Sequence, residues 1–503
     1  MTKTTAMAMG KPLRVMKFGG TSVGDASCIA RVVEIIGKAS KEALVAVVVS
    51  AMSGVTNRLI EAANQAAAGN EGAVAEVFGE LRQRHEEADM ALIGSVLRRE
   101  RVESRLHDIL AEGERLCRGV ALLRELTPRT LDAIAGLGER ICAPLVAAAL
   151  EENGVASEAL DATELLVTDT YHGGAEPCVE RTRARCQSRL LPLLEKTIVP
   201  VITGFIGATE AGVLTTLGRG GSDYSATILG AALDASAVVI WSDVPGLLTA
   251  DPKLVSDAAT IAEISHREAA ELAYFGAKVL HPKTLRPVMQ RGIPVWIKNT
   301  FTPDDPGTKI TPAGVANASG VKALATVREA SQITVAGHGT ERVPEVLART
   351  VAAAARVRVD VLLISQSSSH NDICLVIPST LAQPMVDALR GEFFGSPVKE
   401  QTEPLVAAEE VSVVTLVGQH MQMASAAVAR AFAWLERANI WIIATAQGSS
   451  DCSMSFVVAR QDMEAVLAVF HRELELGLAG KRPVMAESPS SVWKYQPEQA
   501  TAD

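Results

Sequence analysis

The first apolar stretch of the chain ends in a lysine, two glycines and two hydroxyl residues, in the sequence Leu13-Arg-Val-Met-Lys17-Phe-Gly19-Gly20-Thr21-Ser22. Glycines let the backbone approach an anion and aim N–H groups at it. A helix that follows favours negative charge at its N-terminus, and Thr21 or Ser22 is expected to cap that helix. Because the lysine precedes the glycines, this is not a Walker A loop. The pattern predicts a strand–turn–helix unit that can hold a phosphate, although Gly-Gly also occurs in such turns for steric reasons alone.

Apolar runs that end in polar or glycine residues recur through the N-terminal part of the chain. Residues 43–49 form a continuous apolar run of the kind buried in parallel sheets. Residues 198–205, 237–241 and 293–298 repeat this pattern, with helical stretches between them. Strands that alternate with helices predict an α/β fold, a mostly parallel sheet with helices on both faces. Ligands of such sheets bind where the strands end at their carboxyl edge.

The C-terminal part of the chain contains an internal repeat. The stretch that ends in Gln366-Ser-Ser-Ser369 matches the one that ends in Gln447-Gly-Ser-Ser450, and the Ala-rich helical stretches before them also match. Each copy has the order strand, helix, strand, strand, which predicts two small α+β units. The predicted organisation is a disordered N-terminus at 1–12, a catalytic domain at 13–312, repeat units at 320–400 and 405–480, and a loose tail at 487–503.

The amino-acid composition excludes several classes of protein. Hydrophobic residues make up 48% and charged residues 21% of the 503 residues, which allows a large core. The net charge of −10 argues against a nucleic-acid partner, whereas small anionic substrates need only local positive charge. The seven cysteines include no CxxC pair, as in a cytoplasmic protein with reduced thiols and no zinc site. No signal peptide and no apolar run of about 20 residues is present, so we expect no membrane span.

Two further motifs have both a chemical and a structural interpretation. In Gly218-Arg219-Gly-Gly-Ser222-Asp223, Arg219 can hold a carboxylate through its two-pronged guanidinium. Asp223 can accept a hydrogen bond from an ammonium group or orient a lysine, but Ser222 and Asp223 can also simply cap a helix. Glu139 follows a glycine near a helix start, where an acid is also favoured for capping or by the helix dipole.

Two more candidate motifs follow, at residues 241–253 and 275–282. Residues 241–253 form a loop with turn chemistry, and Phe275-Gly-Ala-Lys278-Val-Leu-His281-Pro282 places a lysine in an apolar context. Lys278 can be a second phosphate contact, or its stem can merely cover apolar surface. His281 is expected to be structural. The sequence carries no HExxH or GxSxG motif. Phosphoryl transfer needs no covalent nucleophile, because it depends on positioning and charge neutralisation.

Together these segments resemble the aspartate kinases of the amino-acid kinase superfamily. The start Lys17-Phe-Gly-Gly-Thr-Ser22 is highly specific to that family. The order and spacing of the motifs agree over residues 13 to about 310, and the paired repeats continue to about 475. The other segments that carry the resemblance are Ser50 to Thr56, Gly204-Phe205, Gly218 to Asp223, Trp241 to Lys253 and Phe275 to Pro282.

The resemblance implies a reaction and a set of site residues. ATP, accompanied by Mg²⁺, would phosphorylate the side-chain carboxylate of L-aspartate to 4-phospho-L-aspartate, the first step towards lysine, threonine and methionine. Lys17 and Asp223 would be catalytic, with Lys17 steadying the transferred phosphoryl group. Arg219 would take the substrate carboxylate, while Glu139 and Asp223 would favour its ammonium group. The implied aspartate pocket also contains Thr56, Phe205 and Ser222. The implied nucleotide contacts are Lys17, Gly19, Gly20, Ser242, Asp243, Leu248, Lys253 and Lys278. The resemblance assigns no side chain to a metal.

Two positions depart from the family pattern on the nucleotide side. Position 248 is Leu where many relatives have Tyr, and position 242 is Ser where Thr is usual. Both departures are expected to alter the ATP contacts modestly.

The repeats resemble paired ACT domains, which bind free amino acids as feedback effectors. In relatives the first unit can be inserted within the second, so we expect the strand near 321–327 to complete the later unit. The implied effector residues are Gln366, Gln447 and Ser450. The turns that contain them are most similar to those of the threonine-regulated branch, so threonine is the first choice of effector and lysine the second. Insensitivity to any effector is the third choice, because His370 stands where relatives often have an acid. We expect a homodimer or larger oligomer joined through these units, and no homoserine dehydrogenase domain.

Two other functions stay open at this point. A kinase of glutamate or N-acetylglutamate would share the fold, but the Lys17 and Lys278 segments favour aspartate. A catalytically inactive amino-acid sensor would use the repeats alone, and the presence of Lys17, Arg219 and Asp223 argues against it.

Overall fold

The computed structural model describes residues 10–276, 279–315, 320–335, 342–366, 372–394, 406–421, 425–447 and 451–478. Residues 1–9 of the predicted disordered N-terminus and the predicted loose tail at 487–503 lie outside this described part. So do three residues singled out above, Lys278, His370 and Ser450.

The N-terminal part of the chain alternates strands with helices, as the apolar runs predict. The strand Leu44–Val49 is fully buried and rich in β-branched residues, which suits the centre of a parallel sheet. The elements are β1 Leu13–Phe18, α1 Ala26–Glu42, β2 Leu44–Val49, α2 Val55–Ala68, α3 Glu71–Leu92, α4 Val96–Leu123, α5 Pro128–Ala135, α6 Leu137–Glu152, β3 Ser157–Leu160, β4 Val167–Thr168, α7 Val179–Glu195, β5 Val199–Thr203, β6 Ile206–Thr209, β7 Leu214–Thr216, α8 Gly221–Ala232, β8 Ala237–Ser242, β9 Glu263–Ser265, α9 His266–Tyr274, α10 Pro282–Met289, β10 Val295–Asn299 and β11 Thr308–Thr311.

The main sheet has the strand order β3-β5-β2-β1-β8-β10-β11-β9. All its neighbouring pairs are parallel except β10 with β11. A smaller sheet, β4-β6-β7, lies beside it. The predicted α/β class is therefore confirmed. The parallel register brings the carboxyl ends of β1, β2 and β8 to one edge, where the predicted ligand turns begin.

One prediction about the first turn is wrong. Helix α1 begins at Ala26, and its cap is Asp25, whose carboxylate accepts the backbone N–H of Cys28 at 2.9 Å. Thr21 and Ser22 lie too early in the chain to cap it. Ser22 is buried instead, with its Oγ 2.7 Å from Oγ1 of Thr300.

One apolar stretch, Pro128–Glu152, is long and hydrophobic enough to cross a membrane by length and composition alone. In the structure it forms α5 and α6 with a break at Gly136, and 83% of its most apolar window is buried within the protein. Its side chains Ile134, Leu137 and Val146 belong to the hydrophobic core formed by α1–α6 against the sheet.

The C-terminal part forms a second sheet covered by helices. Its elements are β12 Val321–Val335, α11 Val343–Arg356, β13 Leu363–Gln366, β14 Ile373–Pro378, α12 Ala382–Phe394, β15 Val406–Gly418, α13 Ser425–Arg437, β16 Ile442–Gln447, β17 Ser453–Ala459 and α14 Met463–Glu473. The strand order is β13-β14-β12-β15-β17-β16. Each copy of the repeat has the order strand, helix, strand, strand.

The long strand β12 belongs to both copies of the repeat. Its residues 330–335 pair with β14 and with the start of β15. Its residues 321–327 pair with 413–418 of β15, and Val321 and Leu324 lie in one hydrophobic cluster with Phe456 and Phe470 of the second copy. The strand β12 therefore contacts both copies, while the expected interleaving of the units and the domain limits stay predictions.

The two parts of the molecule share buried contacts. Lys322 of β12 forms an ion pair with Glu268 of α9, with Nζ 2.9 Å from Oε2, and these side chains are only 6% and 0% exposed. Glu268 also completes a capping box with Ser265. A fully buried charge pair at this junction holds α9 against the strand that the repeat units share.

Candidate active site

A cavity of about 820 Å³ opens at the carboxyl edge of the main sheet. It is enclosed by the turns after β1, β2 and β8, the start of α6 and the turn before α8. The predicted site residues that line it are Lys17, Gly19, Gly20, Thr56, Glu139, Phe205, Arg219, Ser222, Asp223, Ser242 and Asp243. Most of the predicted aspartate and nucleotide residues therefore share one space.

The charged centre of the cavity is a pair formed by Lys17 and Asp223. Lys17 lies near the end of β1 and Asp223 in the first turn of α8, and Nζ is 2.5 Å from Oδ1. The two side chains are 10% and 14% exposed. The cap of α8 is Gly220, in a left-handed conformation with φ of 70°, so the interpretation of Ser222 and Asp223 as capping residues is wrong. Asp223 orients a lysine at the cavity wall.

The first glycine turn is packed tightly against its neighbours. The N–H of Gly19 donates to the carbonyl of Trp241 at 3.1 Å. A Cβ at Gly20 would lie 3.1 Å from the carbonyl oxygen of Ala51. This contact explains why glycine stands at position 20. The turn thus joins the ends of β1, β2 and β8 at the rim of the cavity.

Glu139 is the most unusual acid of the site. It lies in the first turn of α6 and is 3% exposed. Its Oε2 makes no hydrogen bond within the described part of the chain. Burial raises the pKa of Glu139 to about 8, while backbone N–H groups and Lys17 oppose the shift. A buried acid with a free oxygen at a cavity wall is suited to receive a cation.

Phe205 and Arg219 also line the cavity. Phe205 has φ of 68°, an unusual value for a residue with a side chain, and its N–H donates to Oγ of Ser225 at 3.0 Å. A Cβ at Gly221 would lie 2.7 Å from the Phe205 ring, so the second glycine turn fits closely around this residue. Arg219 is exposed to the cavity and has no ion-pair partner among the described residues. Its guanidinium is free to bind an anion.

The predicted nucleotide residues separate into two groups. Ser242 and Asp243 line the cavity, and Ser242 Oγ donates to Asp243 Oδ1 at 3.0 Å. Leu248 and Lys253 lie further along the same loop and are not part of the lining. Leu248 is half-buried beside Thr260, and Lys253 is exposed. The neighbouring residues of this loop, Ala250 and Val255, pack into the core of the second repeat unit.

The effector residues lie in the second sheet. Gln366 ends β13 and Gln447 ends β16, and both are exposed. These strands occupy equivalent positions in the two repeats and form the two edges of the sheet. His281, expected to be structural, is the cap of α10, and its Nδ1 accepts the N–H of Lys283 at 3.3 Å.

Sequence reasoning missed Asp132, a buried acid of α5 that also lines the cavity. Its hydrogen-bond partners are His172, Gly173 and Thr216, which are distant in the sequence. No local motif surrounds it, so a single sequence gives no signal for it. Among the described residues, no group of three or more His, Cys, Asp or Glu side chains is arranged to hold a metal ion.

Comparison with known protein families agrees with this architecture. Residues 12–299 match the amino acid kinase family, and residues 333–393 and 414–474 each match the ACT domain. The family match covers more than half of the chain, and the chain belongs to the amino acid kinase family, with ACT domains after the kinase part.

Individual relatives place it among the aspartokinases of that family. The lysine-sensitive aspartokinase 3 of Escherichia coli is 32% identical over 465 residues, which cover 92% of this chain and 98% of that protein. A solved structure of E. coli aspartokinase III in complex with aspartate and ADP is 31% identical, with a TM-score of 0.77, and the match covers 92% of this chain and 100% of that one.

Other relatives are longer. The bifunctional aspartokinase/homoserine dehydrogenase of Haemophilus influenzae is 31% identical over 483 residues, which cover 92% of this chain and 56% of that protein. The chain therefore spans about half the length of the bifunctional relatives that it matches.

Proposed function

We propose that this chain is an aspartate kinase that transfers the γ-phosphoryl group of ATP to the side-chain carboxylate of L-aspartate. The observation that carries the proposal is the cavity, in which the Lys17–Asp223 pair, the unpaired Arg219 and the buried Glu139 face one space. The similarity to an aspartokinase solved with aspartate and ADP supports it.

The proposed reaction needs no general base. The substrate's side-chain carboxylate is already an anion, and one of its oxygens forms a bond to the γ-phosphorus while the bond to the bridging oxygen of ADP breaks. The barrier is then lowered by orienting the two reactants and by neutralising the phosphoryl oxygens. Lys17 provides a buried positive charge for the transferred group, and Asp223 holds its amine in place.

The groups around Arg219 fit the other end of aspartate. The guanidinium of Arg219 can take the α-carboxylate through two parallel hydrogen bonds. Glu139 and Asp223 offer carboxylates for the α-ammonium group. The free Oε2 of Glu139 is the strongest support for this assignment, because a buried carboxyl oxygen without a hydrogen-bond partner is costly, and the ammonium N–H groups can supply that partner.

The nucleotide is proposed to lie beside Ser242, Asp243 and the glycine turn at Gly19 and Gly20. Lys278, which lies outside the described residues, is kept as a further proposed nucleotide contact. Mg²⁺ would enter with ATP and neutralise phosphate charge. Leu248 and Lys253 are kept as proposed nucleotide contacts at the outer end of the loop, although they do not line the cavity itself.

An assay of ADP release with purified protein and Mg²⁺ tests the proposal directly. Aspartate, glutamate and N-acetylglutamate are supplied in turn at equal concentration. Turnover with aspartate alone is expected. Turnover with glutamate or N-acetylglutamate would assign the chain to another kinase of this family, and no turnover with any of them would leave the sensor function.

We further propose that an amino acid bound at the ACT units regulates the kinase, and that two or more copies of the chain associate through residues 325–475. Threonine is the first choice of effector from the Gln366 and Gln447 turns. Lysine is the second, because the E. coli relative is described as lysine-sensitive. Titration of the activity with threonine, lysine and methionine distinguishes them, and light scattering measures the oligomer. We also propose a cytoplasmic location, from the free cysteines and the supply of ATP and aspartate there.

A further inference from the structure

Asp132 is a buried carboxylate that the reaction proposed above does not use. It lies on α5 and is 3% exposed, although it contributes to the wall of the cavity. Helix α5 is itself a firm base, because Thr127 caps it, Pro128 occupies its first turn and Ile134 is fully buried. A buried carboxylate in such a place needs several hydrogen bonds to offset its desolvation.

Asp132 accepts hydrogen bonds from two separate segments of the chain. Nδ1 of His172 donates to Oδ2 at 2.7 Å, and the N–H of Gly173 lies 3.1 Å from both carboxylate oxygens. From β7, the N–H of Thr216 donates to Oδ2 at 3.1 Å and its hydroxyl donates to Oδ1 at 2.6 Å. The carboxylate thus joins α5, the loop at 169–176 and the end of β7.

These contacts use the full capacity of the carboxylate. A carboxylate offers about four lone-pair sites, and the donors from His172, Gly173 and Thr216 occupy them. No lone pair remains to receive the ammonium group of a substrate. Asp132 therefore differs from Glu139, whose Oε2 is free, and its contribution to the site must be indirect.

The two segments held by Asp132 meet directly behind Arg219. The N–H of Ala175 donates to the carbonyl of Thr216 at 2.9 Å. Gly218, two residues after Thr216, has φ of 78°, and a Cβ at Gly218 would lie 2.9 Å from the carbonyl oxygen of Gly173. Arg219 follows at once. Its backbone position is thus set by how closely the 169–176 loop approaches the end of β7, and that approach is fixed by Asp132.

We propose that Asp132 is a positioning residue that sets the place of the Arg219 turn and thereby the affinity for the amino-acid substrate. This inference rests on the proposed function, because it assigns the carboxylate of aspartate to Arg219. It predicts that a change at Asp132 weakens the binding of aspartate more than the binding of ATP. The reason is that Ser242 and Asp243, on the nucleotide side of the cavity, make no hydrogen bond with Asp132 among the described residues. A displacement of about 1 Å at a binding group can cost about 10²-fold in activity.

The test uses the full chain with three substitutions. Asp132→Ala removes all the acceptors. Asp132→Asn keeps one oxygen for His172 and the two backbone N–H groups, and its amide can donate to the hydroxyl of Thr216, which can turn to accept. Asp25→Ala is the matched control, because Asp25 also binds a backbone N–H, at the start of α1, outside the Asp132 cluster.

We expect Asp132→Ala to raise the KM for aspartate by about tenfold or more, with the KM for ATP within about threefold of the unaltered chain. Asp132→Asn should recover most of the loss, and Asp25→Ala should leave the ratio of the two KM values unchanged. Equal increases in both KM values, or no recovery in Asp132→Asn, would overturn the proposal.

A second measurement does not depend on activity. In hydrogen–deuterium exchange, peptides that cover 169–177 and 213–220 should exchange faster in Asp132→Ala and not in Asp25→Ala, since the N–H groups of Gly173 and Thr216 lose their acceptor. Unchanged exchange in both peptides would refute the positioning role. If the unaltered chain shows no turnover with aspartate while exchange does increase, the proposed function fails but Asp132 still holds the turn.

Discussion

Lys17 and Asp223 lie on different elements and are brought within 2.5 Å by the packing of α8 against the end of β1. Each side chain is largely buried, so removing one partner would leave the other as an uncompensated buried charge. The pair keeps the lysine amine at a fixed point of the wall before any ligand arrives. A fixed, desolvated charge stabilises a transition state more than a mobile one does.

The first prediction concerns this amine. Lys17→Ala should lower kcat by about 10²-fold or more, the scale for removal of one preorganised charged contact. ADP release under saturating ATP and aspartate measures the change. Lys41→Ala, an exposed lysine at the end of α1, serves as the control and should retain full activity. A Lys17→Ala protein with nearly unchanged kcat would remove Lys17 from its proposed role.

Arg219 provides the second prediction. Arg219→Ala should mainly weaken the binding of aspartate, by roughly 2–5 kcal/mol, the cost of truncating one partner of a hydrogen-bonded charge pair that the bound substrate would cover. The KM values of both substrates are measured, with Arg181→Ala as control, since Arg181 pairs with Glu210 on the surface. Comparable damage to the two KM values would show that Arg219 supports the cavity as a whole.

The third prediction concerns Glu139 and the pH dependence of the free energy of unfolding. Burial raises its pKa from 4.5 to about 8, so the folded state binds the proton more tightly than the unfolded state does. The favourable contribution of the protonated acid is complete below the unfolded pKa and is lost as the pH rises towards the folded value. Glu139→Gln should therefore raise the free energy of unfolding by roughly 2–5 kcal/mol at about pH 8.5 and by little at about pH 5.

Denaturant unfolding of the ligand-free protein at both pH values measures this difference. The same gain at pH 5 and pH 8.5 would mean that Glu139 is not protonated in the folded chain. Gln383→Ala, at the surface of the ACT part, should show no dependence on pH.

The buried pair between Lys322 and Glu268 gives a prediction about the junction of the two parts. Lys322→Met leaves a fully buried carboxylate without its partner, which should cost about 3–5 kcal/mol. The double substitution Lys322→Met with Glu268→Gln should recover part of this loss, because the uncompensated charge is removed. Thermal unfolding of the three proteins tests the prediction. Absence of recovery in the double variant would locate the damage in packing and not in charge.

The last prediction concerns regulation at Gln447. An effector inhibits only if it binds a less active state more tightly, and about tenfold inhibition needs a coupling of about 1.4 kcal/mol. Gln447→Ala should lose feedback by threonine while keeping the uninhibited rate. The kinase activity of the unaltered chain and of Gln447→Ala is measured as threonine is added. Unchanged inhibition would move the effector site elsewhere, and an unaltered chain that ignores threonine but responds to lysine would assign the second choice of effector.

The fold class could be predicted from the sequence, and so could eleven of the residues that line the cavity, through the family resemblance. Buried parallel strands appear in sequence as continuous apolar runs, and residues 44–49 show this in a single window. Turns that must approach other backbone closely require glycine, as at Gly20 and Gly218. Such local constraints leave a mark on the sequence, so the turns after the strands could be found before the structure was known.

The contacts between distant groups could not be predicted from the sequence. The cap of α1 is Asp25 and not Thr21 or Ser22, because the helix begins later in the chain, and the Ser22 hydroxyl contacts Thr300 instead. The pairing of Lys17 with Asp223, the burial that raises the pKa of Glu139, and the network around Asp132 all join residues far apart in the chain. Hydrogen bonds and desolvation depend on distances of a few ångströms, and those distances are set by packing of distant elements, which no local pattern in one sequence records.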